Sequence, residues 1–190
     1  MTGKILVVST CEHELHYFEF VRPVTDILEN ACFEFKVVPL AKLGKNHLAK
    51  AEKIIICGTS LKDFGYLKLA ERLSFLKSPE FEKPVLGICA GMQLLCLQFG
   101  AVLEKNMEIG LADVFFSEKF LGLESKMQAY SLHNSAVKDS TALRRGFSVF
   151  ARSEKCIQVV RHLQKPFYGV LFHPEARQKE LIENFAKCKL

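Results

Sequence analysis

The sequence has no C-x-x-C pair, no lysine or arginine run, no apolar stretch of membrane-spanning length and no G-x-x-x-x-G-K-[ST] segment. Each absence excludes something. The seven cysteines (Cys11, Cys32, Cys57, Cys89, Cys96, Cys156 and Cys188) form an odd, unpaired set. Several lie in apolar runs, the pattern of buried free thiols in a reducing cytosol and not of a disulfide framework. The 26 basic and 21 acidic residues give a net charge of +5 but are dispersed, so no nucleic-acid partner is implied. With no spanning segment, no membrane association is expected, and residues 1–9 are too short and too strand-like for a signal peptide. Without a phosphate-binding loop, any ATP chemistry belongs to a partner. No metal site and no cofactor are expected. There is also no repeat, low-complexity stretch or linker, and 190 residues that are 49% hydrophobic fit one domain, residues 1–190, in the cytoplasm.

What is present is an alternation of strand and helix signals. Residues 4–9, 33–38, 53–57 and 84–89 read as apolar strands. Helices are expected over 14–30, weakened or split at Pro23, over 62–76 and over 92–99. Such alternation implies crossover connections and a parallel sheet covered on both faces. After Gly100 the strand-like pieces follow closely, at 101–104, 111–116, 127–132, 147–151, 156–161 and 167–172, which suggests antiparallel pairs. A last helix is expected from about 176 to 187. The fold class is α/β, mostly parallel at first, with antiparallel strands in the C-terminal half.

The segment Gly87-Ile88-Cys89-Ala90-Gly91-Met92-Gln93 stands where a strand ends and a helix begins at once. It is G-x-C-x-G, the cysteine counterpart of a serine nucleophile elbow. A sharp strand-to-helix turn holds its apex in a strained conformation with the side chain outward. Positions two before and two after must be small, or their side chains collide. The helix N-terminus puts free N–H groups and a positive dipole end beside the sulfur and favours its thiolate form. The Ala90 N–H is placed to meet an oxyanion on the attacked carbonyl.

Farther on stands Gly169-Val170-Leu171-Phe172-His173-Pro174-Glu175. Residues two apart on an extended chain face one way, and Pro174 biases His173 toward extended backbone. Glu175 is then expected to bind one ring nitrogen of His173, leaving the other for Cys89. That is the order nucleophile, base, orienter.

Together these two motifs, G-I-C-A-G-M-Q and, about eighty residues later, G-V-L-F-H-P-E, resemble the class I (triad) glutamine amidotransferases over nearly the whole chain. The resemblance implies a flavodoxin-like fold and hydrolysis of L-glutamine to glutamate and ammonia through a γ-glutamyl thioester. It also implies a synthase partner that takes the ammonia. It makes Cys89 the nucleophile, His173 the general acid/base, Glu175 its orienter and Gln93 a substrate-binding residue. Many members carry Gly-Gly in the oxyanion loop after the third strand. Here the residues are Gly58 and Thr59, and Thr59 lacks glycine's freedom for positive φ. The stretch Ser131-Leu132-His133-Asn134 resembles the family segment whose backbone holds the amino-acid end of glutamine. For pathway the pattern is divided. Val159-Val160-Arg161-His162 and Lys165-Pro166 resemble the approach to the histidine in GMP synthase, whereas Gly91-Met92-Gln93-Leu94-Leu95 resembles the histidine-pathway glutaminase subunit.

Cys11-x-His13-x-x-His16 has ligand types close together, but zinc needs three or four convergent ligands. A polar loop entering the first helix is the expectation there. Two alternatives to a glutaminase subunit remain open: a stand-alone γ-glutamyl cysteine hydrolase, and a catalytically inactive regulatory subunit of the same fold, which the departure at Thr59 motivates.

Overall fold

The computed structural model describes residues 4–188. In chain order the elements are β1 (Ile5–Ser9), α1 (Glu14–Phe20), α2 (Arg22–Asn30), β2 (Phe35–Pro39), α3 (Lys45–Lys50), β3 (Lys53–Ile56), α4 (Gly65–Lys68), β4 (Val85–Ile88), α5 (Ala90–Gln98), β5 (Leu103–Phe116), β6 (Lys126–Val137), α6 (Thr141–Gly146), β7 (Phe147–Arg152), β8 (Ile157–His162), β9 (Phe167–Val170) and α7 (Lys179–Lys187). One nine-stranded sheet runs β2-β1-β3-β4-β9-β8-β7-β5-β6. The first five of these pair in parallel and the rest antiparallel, as the α/β, flavodoxin-like expectation required.

The central strands are apolar along nearly their whole length because both faces are covered. In β1, Leu6 and Val8 join one core while Ile5 and Val7 join the other. The first core takes α5, the second α2 and α7. Valine and isoleucine suit such strands since their branched side chains pack on a pleated surface. Among the described residues no helix is long and apolar enough to cross a membrane, and all seven cysteines are free. Burial pushes the Cys57 and Cys96 thiols well up, so these two act as small packing residues.

Several boundaries differ from the sequence reading. The expected helix 14–30 divides at Val21, with Pro23 in the first turn of α2, where its missing N–H costs nothing. The expected helix 62–76 is a single α turn, α4, followed by a 3-10 segment, Ala70–Lys77. Leu73 and Leu76 are buried there, and a spacing of three suits the tighter helix. The two strands expected at 101–104 and 111–116 are one strand, β5. Its polar middle is held by backbone pairing to β6 across a bulge between Lys105 and Glu108, which hydropathy does not register. The last helix begins at Lys179, later than expected, because residues 173–177 form turns: the Ala176 N–H donates to His173 O and that of Arg177 to Pro174 O. Helices α3 and α6 have no counterpart in the sequence reading. The latter is capped by Ser140 Oγ, which accepts from the Leu143 N–H at 3.3 Å, a common device at helix starts.

Candidate active site

Strands β3, β4 and β9 are neighbours in the sheet, and their carboxyl ends deliver Gly58–Thr59, Cys89 and His173 to one place. Open parallel sheets characteristically bind ligands at this end.

Cys89 sits between β4 and α5 with φ 49° and ψ −107°. A non-glycine residue in that region is strained, and such strain persists only where the surroundings impose it. The surroundings here are backbone. A Cβ on Gly91 would stand 2.0 Å from Ile56 O, and one on Gly87 would stand 2.6 Å from Gly91 C and Met92 N. Both glycines are needed for space, as the G-x-C-x-G reading required. The Cys89 N–H donates to Val170 O at 2.8 Å, which ties the elbow to β9. Cys89 is 4% exposed and its thiol lies 3.7 Å from Leu132 O on β6.

His173 Nδ1 and Glu175 Oε1 are 2.7 Å apart, both side chains 3% exposed. The pair forms as expected, but by a different route. The two residues meet across the turn that starts at His173, with Pro174 in the position proline favours, and not along an extended chain. With Nδ1 engaged, His173 Nε2 is buried and has no hydrogen-bond partner among the described residues. A Cβ on Gly58 would stand 2.8 Å from His173 Cε1 and 3.2 Å from Cys89 Cβ, so the two side chains flank one point. Burial opposes a charged imidazole, but the Glu175 carboxylate and the Cys89 sulfur outweigh it and hold His173 well above the ordinary histidine value. The Phe20 ring of α1 packs on the imidazole, with centroids 5.4 Å apart.

The loop after β3 needs no positive φ. Neither Gly58 nor Thr59 is among the residues with that conformation, so the departure from Gly-Gly carries no backbone penalty. Thr10 Oγ1 donates to Cys57 O and Gly58 O, each at 3.0 Å. Because the peptide unit is planar and trans, the Thr59 N–H points opposite to the Gly58 carbonyl, away from β1. Thr59 lines the same cleft as Cys89. The N–H groups of Gly58, Thr59 and Ala90 donate to no acceptor among the described residues. For Ala90 this follows from its place at a helix start.

The remaining expected residues are distributed around this point. Gln93 is buried below the elbow, with Oε1 accepting from Tyr66 Oη and Nε2 donating to Ser135 O at 2.8 Å. Leu132 and His133 line the same cleft as Cys89, Ala90 and Thr59, whereas Ser131 does not. Ser131 Oγ is buried without a partner among the described residues. The His133 ring is turned aside, with Nδ1 3.1 Å from Asn106 O and Nε2 3.5 Å from Glu108 Oε2. Gln158 Nε2 already occupies the space between Glu108 and the neighbouring Cys156, at 2.6 and 3.4 Å.

Asp63, Tyr66 and Asn134 also line the cleft. Asp63 and Tyr66 belong to no motif that singles them out in the sequence. His16, which the sequence places in a polar loop entering α1, binds Asp63 at 2.7 Å. The cleft itself is narrow: it offers about 20 Å³, room for about one water.

Residues 16–188 match the family model described as glutamine amidotransferase class-I. A glutamine-hydrolysing GMP synthase subunit from Pyrococcus furiosus is 31% identical over 182 residues, covering 89% of this chain and 93% of the relative. Its counterpart from Pyrococcus abyssi is 38% identical over 118 residues, 57% of this chain and 61% of the relative. A glutamine-hydrolysing GMP synthase from Lactobacillus gasseri is 36% identical over 141 residues, 67% of this chain but 25% of that protein. Among solved structures, a Thermoplasma acidophilum protein described as a GMP synthase subunit superposes with a TM-score of 0.85 at 23% identity, covering 98% of this chain and 93% of that one.

Proposed function

This chain belongs to the class-I glutamine amidotransferase family, and from that membership we propose that it hydrolyses L-glutamine at Cys89 and hands the ammonia to a synthase partner. The observation that carries the reading is the convergence of a strained cysteine, a histidine with one free buried nitrogen and a carboxylate 2.7 Å from its other nitrogen. Residues 1–190 are taken as one glutaminase domain.

In this reading the Cys89 sulfur attacks Cδ of the glutamine amide. The N–H groups of Ala90 and Thr59 receive the developing oxyanion. His173, held upright and kept positive by Glu175, gives a proton to the departing nitrogen, so ammonia and a γ-glutamyl thioester result. The imidazole, now neutral, takes a proton from water, whose oxygen attacks the thioester. Collapse expels the sulfur as thiolate beside the reprotonated imidazole, as at the start, and the product acid loses its proton to solvent as glutamate. Gln93, tied to Tyr66 and Ser135, sets the floor under the substrate, and the backbone at Leu132–His133 faces its amino-acid end.

The partner belongs to GMP synthesis in this reading, the activity for which the Pyrococcus and Lactobacillus relatives are named. In the Lactobacillus protein the matched part is a quarter of the whole, so the acceptor chemistry lies outside the part that matches this chain. The test is incubation with 6-diazo-5-oxo-norleucine, alone and with a GMP synthetase subunit, followed by intact-mass and peptide mapping. One adduct at Cys89, with glutamate release from glutamine, is expected. Absence of an adduct in both conditions refutes the reading.

A further inference from the structure

One buried carboxylate beside the site has no part in the chemistry above. Asp63 is 2% exposed, and its Oδ2 receives three donors: Thr59 Oγ1 at 2.6 Å, His16 Nδ1 at 2.7 Å and the Glu12 N–H at 3.2 Å. The first comes from the loop after β3. The other two come from the start of α1, in a different part of the chain. Burial raises the carboxyl, but these three contacts outweigh it and hold Asp63 below the ordinary aspartate value, so it is an anion at neutral pH. Hydrogen bonds to an anion are about twice as strong as neutral ones.

Thr59 lines the Cys89 cleft, and its N–H points away from the Thr10 hydroxyl that holds the preceding carbonyl. Its preceding carbonyl is fixed by Thr10 Oγ1 and its own side chain by Asp63. At the position after Gly58 this chain has a hydroxyl with a charged partner. The same loop is tied to β6 by Asn134 Nδ2, which donates to Leu61 O at 2.9 Å.

We propose that Asp63 is a positioning residue for glutamine hydrolysis: through Thr59 Oγ1 it aims the Thr59 N–H at the oxyanion, and through His16 and the Glu12 N–H it takes its own place from α1. This rests on the glutaminase reading and names a device within it. Because Phe20 of the same helix packs on the His173 ring, α1 supports the oxyanion donor and the base together.

The test is steady-state hydrolysis of glutamine by the full chain with its synthetase partner, in Thr59→Val, Thr59→Ser, Asp63→Asn and His16→Ala. Thr59→Val and Asp63→Asn are expected to lower kcat by about 10- to 100-fold with KM nearly unchanged, less than the 10²–10³ of deleting a donor outright. Thr59→Ser, which keeps the hydroxyl, should recover most of the rate. His16→Ala should cost only about threefold, since the Glu12 N–H remains. The double variant Thr59→Val/Asp63→Asn should be no slower than Thr59→Val alone, because Asp63 acts on the oxyanion donor only through the Thr59 hydroxyl. Wild-type turnover in Thr59→Val, no recovery in Thr59→Ser, or multiplying losses would overturn the proposal. If the wild-type chain neither turns over glutamine nor takes the electrophile at Cys89, the glutaminase reading fails instead. A crystal structure of Thr59→Val then still decides: a reoriented Gly58–Thr59 peptide supports the positioning role and an unmoved one refutes it.

Discussion

Two loops leave the ends of adjacent strands β3 and β4 and finish side by side, yet different physics holds each. The β4 elbow is set by backbone against backbone. Its glycines touch Ile56 O and the start of α5 with no room for a methyl group, and Cys89 is forced to φ 49°. The β3 loop has ordinary dihedrals and is set by side chains: Thr10 on two carbonyls, Asp63 on Thr59, and Asn134 on Leu61. The first loop is a fixed anvil for Cys89, the proposed nucleophile. The second is a set of hydrogen bonds that can be made and broken, so it is the more adjustable of the two. A site that must close on its substrate gains from having one rigid wall and one adjustable wall.

The largest effect that separates the two is expected at Gly91. Gly91→Ala puts a carbon 2.0 Å from Ile56 O, and neither backbone can retreat without moving β3 or α5. A loss of more than about 3 kcal/mol in urea unfolding is expected. A loss below about 1 kcal/mol would mean the elbow is not set by close approach. Next is Thr10→Val, which keeps shape but strips two buried carbonyls of their donor. It should cost about 1–2 kcal/mol and slow glutamine hydrolysis more than the stability loss explains, since the Gly58–Thr59 peptide is freed to turn. An equal effect on an elbow-only readout, such as electrophile labelling of Cys89, would erase the distinction between the two loops. Smaller again is the difference between two variants at position 89. Cys89→Gly should be more stable than Cys89→Ala by about 1 kcal/mol, because only glycine adopts that φ without strain. The opposite order in thermal unfolding would show that the strain is not real.

This contrast also explains which parts are legible in the sequence. The elbow announces itself because close packing leaves a residue-type requirement at fixed spacing: glycine at 87 and 91 and nothing else. The His173–Glu175 pair is legible for a similar reason, although a turn and not strand alternation brings it together. The adjustable wall is not. Asp63 binds Thr59 four residues back and His16 forty-seven back, and many residue sets can supply such bonds, so no local pattern marks them. The same holds for β5, whose polar middle stays in the sheet through backbone pairing alone, and for α3 and α6, too short for hydropathy to declare. Long-range side-chain networks become visible only when topology has placed their members together.

Acid separates the two walls most finely. Asp63 has a folded value below its unfolded 3.8. Such a group contributes stability that is fully present above the unfolded value and is lost as pH falls through the folded one. Asp63→Asn should therefore be less stable than the parent at neutral pH, and the margin should shrink as pH falls below about 4. The deficit of Gly91→Ala involves no titrating group and should stay level across the same range, since a carbon pressed on a carbonyl oxygen does not respond to protons. Paired urea midpoints from about pH 3 to about pH 7 measure both. Parallel curves for the two variants would mean that Asp63 holds its loop by shape and not by charge, and the β3 loop would then be as fixed as the elbow beside it.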